Sequence, residues 1–211
     1  MLLPKPPNNK DYATFYLYGH LKNFHEYKAY IDEITVSKNE LIYRPPTYEN
    51  YIYEVVEGAI KLGSYSDCGN EHAHDILTKG DLFGNLRYLN GQFFEFSKTL
   101  VDSKIRVYDL GFFKKTIVRD PDLADWFISY LLKRWCSSEK KLDSINGNNI
   151  QERIQYLQFQ FNIDVTDANG NRHVLFELLT QKDLGDLIGA TRQTVSTILK
   201  KNQSFLSKIP G

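Results

Sequence analysis

Residues 179–201 decide the fold, and they read Leu-Thr-Gln-Lys-Asp-Leu-Gly-Asp-Leu-Ile-Gly-Ala-Thr-Arg-Gln-Thr-Val-Ser-Thr-Ile-Leu-Lys-Lys. Thr180 can cap free backbone amides, and Asp183 occupies the capping-box position three residues later. The apolar residues that follow have helical spacing, and Gly189 suits the left-handed conformation that ends a helix. The stretch therefore predicts a short helix, a tight turn and a second helix that starts at Thr191.

The predicted second helix has two chemically different faces. Its apolar residues, which we expect to point inward, are Val195, Ile198 and Leu199. Hydrogen-bonding and cationic side chains share the other face: Arg192, Gln193, Ser196, Thr197 and Lys200. A helix that lies in the major groove of DNA needs such a face, so we interpret the stretch as a helix-turn-helix. By shape alone, a small helical hairpin with a polar outer face is the alternative.

The run Gly-Ala-Thr-Arg-Gln-Thr-Val-Ser at 189–196, followed by Ile-Leu-Lys at 198–200, resembles the recognition segment of the cyclic-AMP receptor protein/FNR superfamily of bacterial transcription regulators. The resemblance implies that Arg192 contacts guanine, as its match in the family does. Gln193 and Thr197 stand where the protein that names the family has a glutamate and a second arginine, so a different half-site is expected. Glutamine can pair with adenine, and threonine can touch a thymine methyl group. The residues expected to bond phosphates are Thr180, Gln181, Thr191 and Thr194.

Residues 34–110 contain short β-rich runs at nearly even spacing. The runs are 34–36, 40–43, 51–56, 59–62, 74–77, 93–96, 98–101 and 105–110. Many short strands separated by turn residues predict a sandwich or a barrel. Before them, residues 11–33 mix aromatic with charged side chains, a pattern that we interpret as short helices.

Three segments of this region, 40–44, 51–62 and 79–86, resemble the jelly-roll sensor domain of the same superfamily in order and spacing. Together with the helix-turn-helix they imply an α+β fold. It has an N-terminal double-stranded β-helix (a jelly roll, cyclic-nucleotide-binding-like), a long dimerisation helix and a C-terminal winged helix-turn-helix. The expected domains are a sensor over residues 1–120, a dimerisation helix and hinge over 121–147, and a DNA-binding domain over 148–211.

The expected effector pocket departs from the family pattern. Family members that bind cyclic nucleotides have a glutamate just after the glycine of this loop, and further on an arginine and a serine or threonine for the phosphate. Here Gly84 is followed by Asn85, and the later position falls near Glu95, so an anion would face the phosphate. The candidate pocket residues are Gly84, Asn85, Arg87, Ser97 and Lys98, of which Arg87 or Lys98 could replace the missing cation.

Cyclic AMP is therefore not expected to bind this chain, because charge complementarity with its phosphate is lost. We expect the pocket to take another ligand or to be filled by the chain's own aromatic side chains. The chain has 14 tyrosines and 13 phenylalanines, enough for an occluded interior, although such a count is equally typical of an ordinary core.

Charge and hydropathy exclude several classes of protein. The chain has 26 Lys and Arg against 26 Asp and Glu, so its net charge is zero. Residues 177–211 contain a weak basic excess, with Lys182, Arg192, Lys200, Lys201 and Lys208 against Glu177, Asp183 and Asp186. Non-specific DNA affinity should thus be modest.

Prolines interrupt the N-terminus before a signal-peptide core can form, and no run reaches membrane-spanning length, so a cytoplasmic protein is expected.

The sequence predicts neither a metal nor a cofactor site. Cys68 and Cys136 are far apart and outside any CxxC spacing, so we interpret them as reduced thiols. His72 and His74 could share one face of a strand, but two ligands do not complete a metal site, and a solvated pair is the favoured interpretation. A phosphate loop, a nucleophile elbow and a zinc-protease motif are all missing from the sequence, so we expect no enzyme.

A long helix is predicted to open near Pro121. Residues along it step alternately by four and three, as in a two-stranded coiled coil: Ala124, Ile128, Leu131, Trp135, Ser138, Leu142 and Ile145. We favour a parallel homodimer that reads a palindromic operator, because recognition helices need two-fold pairing. The alternative is a single helix packed on the β domain through Trp126, Phe127 and Tyr130, and both can hold together.

The remaining segments complete the predicted DNA-binding domain. Residues 146–149 break the long helix and are predicted to form a hinge. Residues 150–161 predict an amphipathic helix, and 167–171 predict a hairpin turn between strands 163–166 and 174–178. Only ten residues follow Lys201, which leaves room for one strand of a wing and hardly two.

The sequence thus predicts a homodimeric, sequence-specific transcription regulator that is not controlled by cyclic AMP. Its expected partners are double-stranded DNA and a second copy of itself, with RNA polymerase as a further candidate and no membrane. The main alternative is a ligand-binding signalling module that acts through a protein partner without binding DNA. A third possibility is a metal-dependent jelly-roll enzyme.

Overall fold

The computed structural model describes residues 17–22, 27–46, 50–86 and 94–206. Its first half has one α-helix, a short 3-10 helix (Tyr27–Ala29) and eight strands: α1 (Leu17–Leu21), β1 (Ile31–Val36), β2 (Leu41–Tyr43), β3 (Tyr51–Glu57), β4 (Ile60–Tyr65), β5 (Glu71–Leu77), β6 (Leu82–Gly84), β7 (Phe96–Thr99) and β8 (Ser103–Asp109). The second half is mainly helical: α2 (Leu110–Arg119), α3 (Pro121–Gly147), α4 (Ile150–Phe161), β9 (Asp164–Thr166), β10 (Arg172–Val174), α5 (Leu175–Leu178), α6 (Gln181–Ile188) and α7 (Arg192–Leu206).

The first eight strands form two antiparallel four-stranded sheets. Sheet 1 has the order β1-β8-β3-β6, and sheet 2 has the order β2-β7-β4-β5. Tyr43, Tyr53 and Phe83 belong to the apolar cluster between the sheets, which confirms the predicted jelly roll. Two details are wrong: the runs 93–96 and 98–101 correspond to one strand, β7, and β6 is not predicted from the sequence. A strand of three residues is too short to show alternation.

Helix α3 begins at the predicted proline. Asp120 caps it by accepting hydrogen bonds from the amides of Asp122 (3.0 Å) and Leu123 (3.2 Å). Trp126 and Phe127 are buried against sheet 1 together with helix α2, which the sequence analysis does not predict. No helix in the described part of the chain is both long and apolar enough to cross a membrane.

The DNA-binding half differs from its prediction at two places. The predicted second strand, 174–178, is wrong: β10 spans Arg172–Val174, and residues 175–178 form helix α5. The apolar run at 175–178 is therefore helical rather than extended, and its first residue, Leu175, is buried in the core. Residues 202–206 continue helix α7 and are therefore not a wing strand. The rest of the predicted wing strand, residues 207–211, lies outside the described part of the chain.

A buried ionic network crosses sheet 1. Arg106 donates hydrogen bonds to Glu54 at 2.9 Å and to Glu33 at 3.1 Å, and the Tyr108 hydroxyl donates to Glu54. Burial and the neighbouring Glu54 carboxylate raise the pKa of Tyr108 well above its ordinary range. Burial acts to lower the pKa of Arg106, but the charges and hydrogen bonds of Glu54 and Tyr108 together outweigh it, so the pKa rises and the guanidinium stays ionised. Helix α1 covers the network, with the Tyr18 ring 4.0 Å from the Arg106 guanidinium carbon.

The C-terminal half of the chain, residues 150–201, packs directly on the outer face of sheet 2. Ala59, Ile76 and Leu100 lie in or beside that sheet and share one buried apolar cluster with residues of helices α4, α6 and α7. The hairpin β9–β10 also contacts the sensor domain, because the Thr166 carbonyl accepts a hydrogen bond from the Gly58 amide at 2.8 Å. Communication between the domains is therefore not confined to the predicted hinge.

An ion pair closes this domain interface. Lys61 Nζ, on the outer face of sheet 2, donates to Asp183 Oδ1 of helix α6 at 2.8 Å, and both side chains are nearly buried. Burial acts to raise the pKa of Asp183, but hydrogen bonds from Lys61 and Thr180 outweigh it, so the pKa lies below the ordinary aspartate value. One turn further along the helix, Asp186 accepts a hydrogen bond from the backbone amide of Ala73 at 3.0 Å.

We expect Arg106→Met to lower the free energy of unfolding by about 3–5 kcal/mol, because it leaves the buried Glu54 carboxylate without its cation. The triple variant Glu54→Met/Arg106→Met/Tyr108→Phe should recover most of that loss, since no unpaired polar group remains. Lys104→Met is the matched control, because Lys104 is a surface partner of Glu33 and its loss should have a far smaller effect. Urea unfolding followed by circular dichroism measures all three, and equal losses for Arg106→Met and Lys104→Met would contradict the network's role.

The depressed pKa of Asp183 predicts acid sensitivity of the domain interface. A lowered folded-state pKa stabilises the fold above the unfolded value of about 4, and that stabilisation disappears as the pH falls through the folded value. Asp183→Asn should therefore be less stable than the wild type near pH 6 by about 2 kcal/mol, and the difference should shrink below about pH 4. Urea unfolding at several pH values checks this, with Asp122→Asn as an exposed control; a difference that is constant down to pH 3 would refute it.

Candidate nucleic-acid interface

Helix α6 begins with the predicted capping box. The Thr180 hydroxyl accepts a hydrogen bond from the Asp183 amide at 3.1 Å, and Asp183 Oδ2 accepts one from the Thr180 amide at 3.0 Å. The helix ends at Gly189, whose φ of 68° is the left-handed conformation that the sequence predicts. A Cβ on Gly185 would lie 2.6 Å from the Ala190 carbonyl oxygen, so this glycine permits the close turn. The need for glycine at 185 is not predicted from the sequence, because the close contact with Ala190 exists only in the folded turn.

Helix α7 is anchored from inside and leaves its polar face in solvent. Val195 is completely buried in the core shared by helices α4 and α6. The Thr191 hydroxyl accepts a hydrogen bond from the Thr194 amide at 3.2 Å and lies 2.9 Å from the Thr194 hydroxyl, which caps the first turn. The helix is therefore held by one face and by its start.

The candidate base-reading residues lie together on the outer face of α7. Arg192, Gln193, Thr197 and Lys200 are exposed, and Ser196 is half-buried beside them. The Thr197 hydroxyl donates to the Gln193 carbonyl at 3.0 Å within the helix. Because the Thr197 hydroxyl proton is engaged in this bond, the methyl group is the part of the side chain that can contact a base.

The candidate phosphate-binding residues cluster at the starts of the two helices. Thr180 and Thr191 are exposed, whereas Gln181 and Thr194 are half-buried. The Thr180 hydroxyl donates to Asp183 Oδ2 at 2.7 Å, so it can offer a phosphate its proton only by giving up that bond.

Two basic residues of this region make contacts that are not predicted from the sequence. Lys182 Nζ donates to the Glu71 carbonyl oxygen of the sensor domain and to Asp186 at 2.9 Å. Arg153 of helix α4 donates to the carbonyl oxygens of Ile145, at the end of α3, and of Ile188, at the end of α6. Arg153 thus ties the predicted hinge to the helix-turn-helix. The contacts of Lys182 with Glu71 and of Arg153 with Ile188 have no sequence signal, because these partners are 111 and 35 positions apart in the chain.

The predicted effector residues do not form one group. Gly84 ends β6 with a φ of 89°, and a Cβ there would lie 2.7 Å from the Tyr51 carbonyl oxygen. Asn85 and Ser97 are buried, and the Ser97 hydroxyl has no hydrogen-bond partner among the described residues. Lys98 follows Ser97 in β7 and so points to the opposite face, where its Nζ lies 3.3 Å from Glu71. Arg87 lies outside the described part of the chain.

Aromatic rings occupy the interior beside Gly84. The Tyr53 ring lies 5.1 Å from the Phe83 ring and 5.6 Å from the Tyr43 ring, centroid to centroid. The Tyr43 hydroxyl donates to Glu95 at 2.7 Å, and His74 Nε2 lies 3.2 Å from the other oxygen of that carboxylate. Glu95 therefore adds a negative charge at the edge of an interior that the protein itself fills.

The two histidines of strand β5 have different partners. His72 Nδ1 lies 3.5 Å from Asp186, whereas His74 contacts Glu95. Within the described residues, no group of three or more His, Cys, Asp or Glu side chains is placed to hold a metal ion. The two imidazoles are thus elements of the domain interface and of the edge of the roll.

Comparison with known proteins places this geometry in a family. Residues 33–120 match the cyclic nucleotide-binding domain. The chain is 24% identical over 170 residues to the global nitrogen regulator of Synechococcus elongatus, covering 77% of this chain and 74% of the relative. It is 23% identical over 212 residues to the cAMP-activated global transcriptional regulator CRP of Salmonella typhimurium, covering 98% and 94%.

A solved structure shows the same fold over both halves of the chain. FixK2 from Bradyrhizobium japonicum superposes with a TM-score of 0.67 at 18% identity, covering 82% of this chain and 85% of that one. The sensor-domain match, the two regulators and this shared fold agree with the recognition segment at 189–196. Residues 33–120 thus belong to the cyclic nucleotide-binding domain family, and the similarities of the whole chain support a transcription regulator of the Crp/Fnr superfamily.

Proposed function

We propose that this chain is a homodimeric, sequence-specific DNA-binding transcription regulator that works without cyclic AMP. The observation that carries the proposal is the outer face of helix α7, where Arg192, Gln193, Thr197 and Lys200 are exposed on a helix anchored by the buried Val195. An exposed helix with cations and hydrogen-bonding groups on one side fits the major groove. Both curated relatives named above are regulators by name, which agrees with a regulator rather than an enzyme.

The arrangement of α7 supports a particular half-site. Arg192 lies in the first turn, where a guanidinium can bond both O6 and N7 of one guanine. Gln193 beside it can bond adenine, and the Thr197 methyl group can contact thymine, because its hydroxyl is already bonded to the helix. Thr180, Gln181, Thr191 and Thr194 lie where the two helices start and would fix the register through phosphates.

The exposed apolar seam of α3 supports dimerisation. Ile128, Leu131, Trp135 and Leu142 are exposed in the single chain, with 66% of the Trp135 surface open to solvent. The opposite side of the helix is occupied, since Trp126 and Phe127 are buried against sheet 1. A second copy covering this seam would place two recognition helices on a palindromic operator.

The sensor interior supports independence from cyclic AMP. The Tyr43, Tyr53 and Phe83 rings pack against one another inside the roll beside Gly84, and Glu95 would repel a phosphate. Lys98, one of the two candidate replacement cations, is bound to Glu71 on the opposite face of β7. We infer a cytoplasmic regulator that contacts RNA polymerase from its DNA site.

We expect Arg192→Ala to remove the preference for one G·C pair in each half-site, at a cost of about 1–3 kcal/mol of discrimination. Lys200→Ala is the comparison variant. It should weaken binding to all duplexes similarly and reduce the salt slope by about 1. Selection from a randomised duplex pool measures the sequence preference of each variant, and electrophoretic shifts measure its affinity. Both experiments are run with and without cyclic AMP, which should change neither the preference nor the affinity. If Arg192→Ala selects the wild-type half-site, or if the wild type binds no duplex, the proposal fails.

We expect Trp135→Glu to convert a dimer, twice the 24.5 kDa chain mass, into a monomer. A buried charge pair of like sign at the seam should raise the dimer dissociation constant at least about 100-fold. Lys133→Glu, on the other side of α3, is the control and should remain dimeric. Native mass spectrometry across a dilution series reads out both variants. A wild type that has the mass of one chain would rule out this dimer.

A further inference from the structure

A second exposed surface lies on the DNA-binding domain, away from the residues proposed to contact DNA. Within residues 148–201, the exposed large apolar side chains are Tyr156 (41%), Phe159 (83%) and Ile163 (45%). Tyr156 and Phe159 lie one turn apart on the solvent side of helix α4, and Ile163 follows the end of that helix. Because the exposed apolar side chains are concentrated at one place, they form a patch rather than scattered surface residues.

A groove of about 440 Å³ runs beside this patch. Its lining is formed by helix α4, strand β10 and helix α5: Gln158, Phe159, Asn162, Val174, Phe176 and Glu177. The opposite side of α4 is already used, since Ile154 and Leu157 are buried in the domain core. Helix α4 therefore has two apolar sides, of which only one is covered by the part of the chain that the structure describes.

The charged residue in the groove lining is Glu177. Beside the groove, Asp164 pairs with Val174 across the β9–β10 hairpin. Arg172, two residues before Val174, lies on the same face of the hairpin, because alternate residues of a strand share a face. These three charged residues are exposed. The charge that a bound segment would meet inside the groove is therefore the negative charge of Glu177.

We propose that this groove binds a protein segment in which an apolar side chain is flanked by lysine or arginine. An apolar anchor would fill the space between Phe159 and Phe176, and a flanking cation would meet Glu177 and the exposed Phe159 ring. A second copy of this chain fits poorly, because a two-fold contact brings the same carboxylates against each other. The surface goes beyond the proposed function, since DNA binding does not require it.

A random peptide library displayed on phage tests the proposal with the full-length chain. Selection on the wild type, with counter-selection on Phe159→Ser, should enrich peptides that have Phe or Leu next to Lys or Arg. Synthesised peptides should bind Phe159→Ser at least about tenfold more weakly than the wild type. Glu177→Gln should weaken them about threefold and reduce the salt dependence. Val118→Ser, which changes an exposed valine of helix α2 (78% exposed), should have no effect.

Three results would overturn the proposal: no enrichment over the Phe159→Ser background, enrichment of acidic or uncharged peptides, or equal binding to Phe159→Ser. Association of wild-type dimers that is lost in Phe159→Ser would likewise overturn it, because the occupant would then be a second copy. Phe159→Ser should retain wild-type DNA affinity and circular dichroism. A failure of the DNA-binding proposal is therefore distinguishable from a failure of this one.

Discussion

The structure depends on one buried carboxylate, Asp183, whose two oxygens bond groups in two different domains. Asp183 Oδ2 closes the capping box that starts helix α6, and Asp183 Oδ1 accepts from Lys61 in the sensor domain. A carboxylate has lone pairs enough for both, and burial makes each bond costly to leave unmade. The start of the helix-turn-helix and its position on sheet 2 are therefore set by the same group.

The sensor domain reaches the DNA-binding domain by two physical routes. One is direct, through the apolar cluster and the ion pair on the outer face of sheet 2. The other runs along α3, where Arg134 bonds the Leu82 carbonyl and Lys141 bonds the His74 carbonyl, and it ends at Arg153 below the hinge. Strand β5 contributes to both routes and β6 to the second, and both strands contribute side chains to the apolar cluster inside the roll. A change in that interior can therefore act on the posture of α6 and α7 together.

The residues predicted for the effector pocket lie in different surroundings. Asn85 and Ser97 are buried, whereas Lys98 lies beside Glu71 on the opposite face of β7. The surface of the C-terminal half likewise has two chemically different regions. Cations lie on the outer face of α7, whereas Glu177 and the exposed Phe159 line a groove beside α4.

The sequence by itself determined the features that local chemistry controls. These are the capping box at Thr180, the left-handed Gly189, the outward face of α7, the start of α3 at Pro121, and the jelly roll with most of its strands. Tertiary structure alone decided the rest, because the deciding contacts join residues far apart in the chain. Lys61 meets Asp183 across 122 positions, Lys98 turns from Ser97 toward Glu71, and residues 175–178 become helical where Leu175 enters the core. Periodicity and capping act within a few residues, whereas these contacts exist only after the two domains have packed.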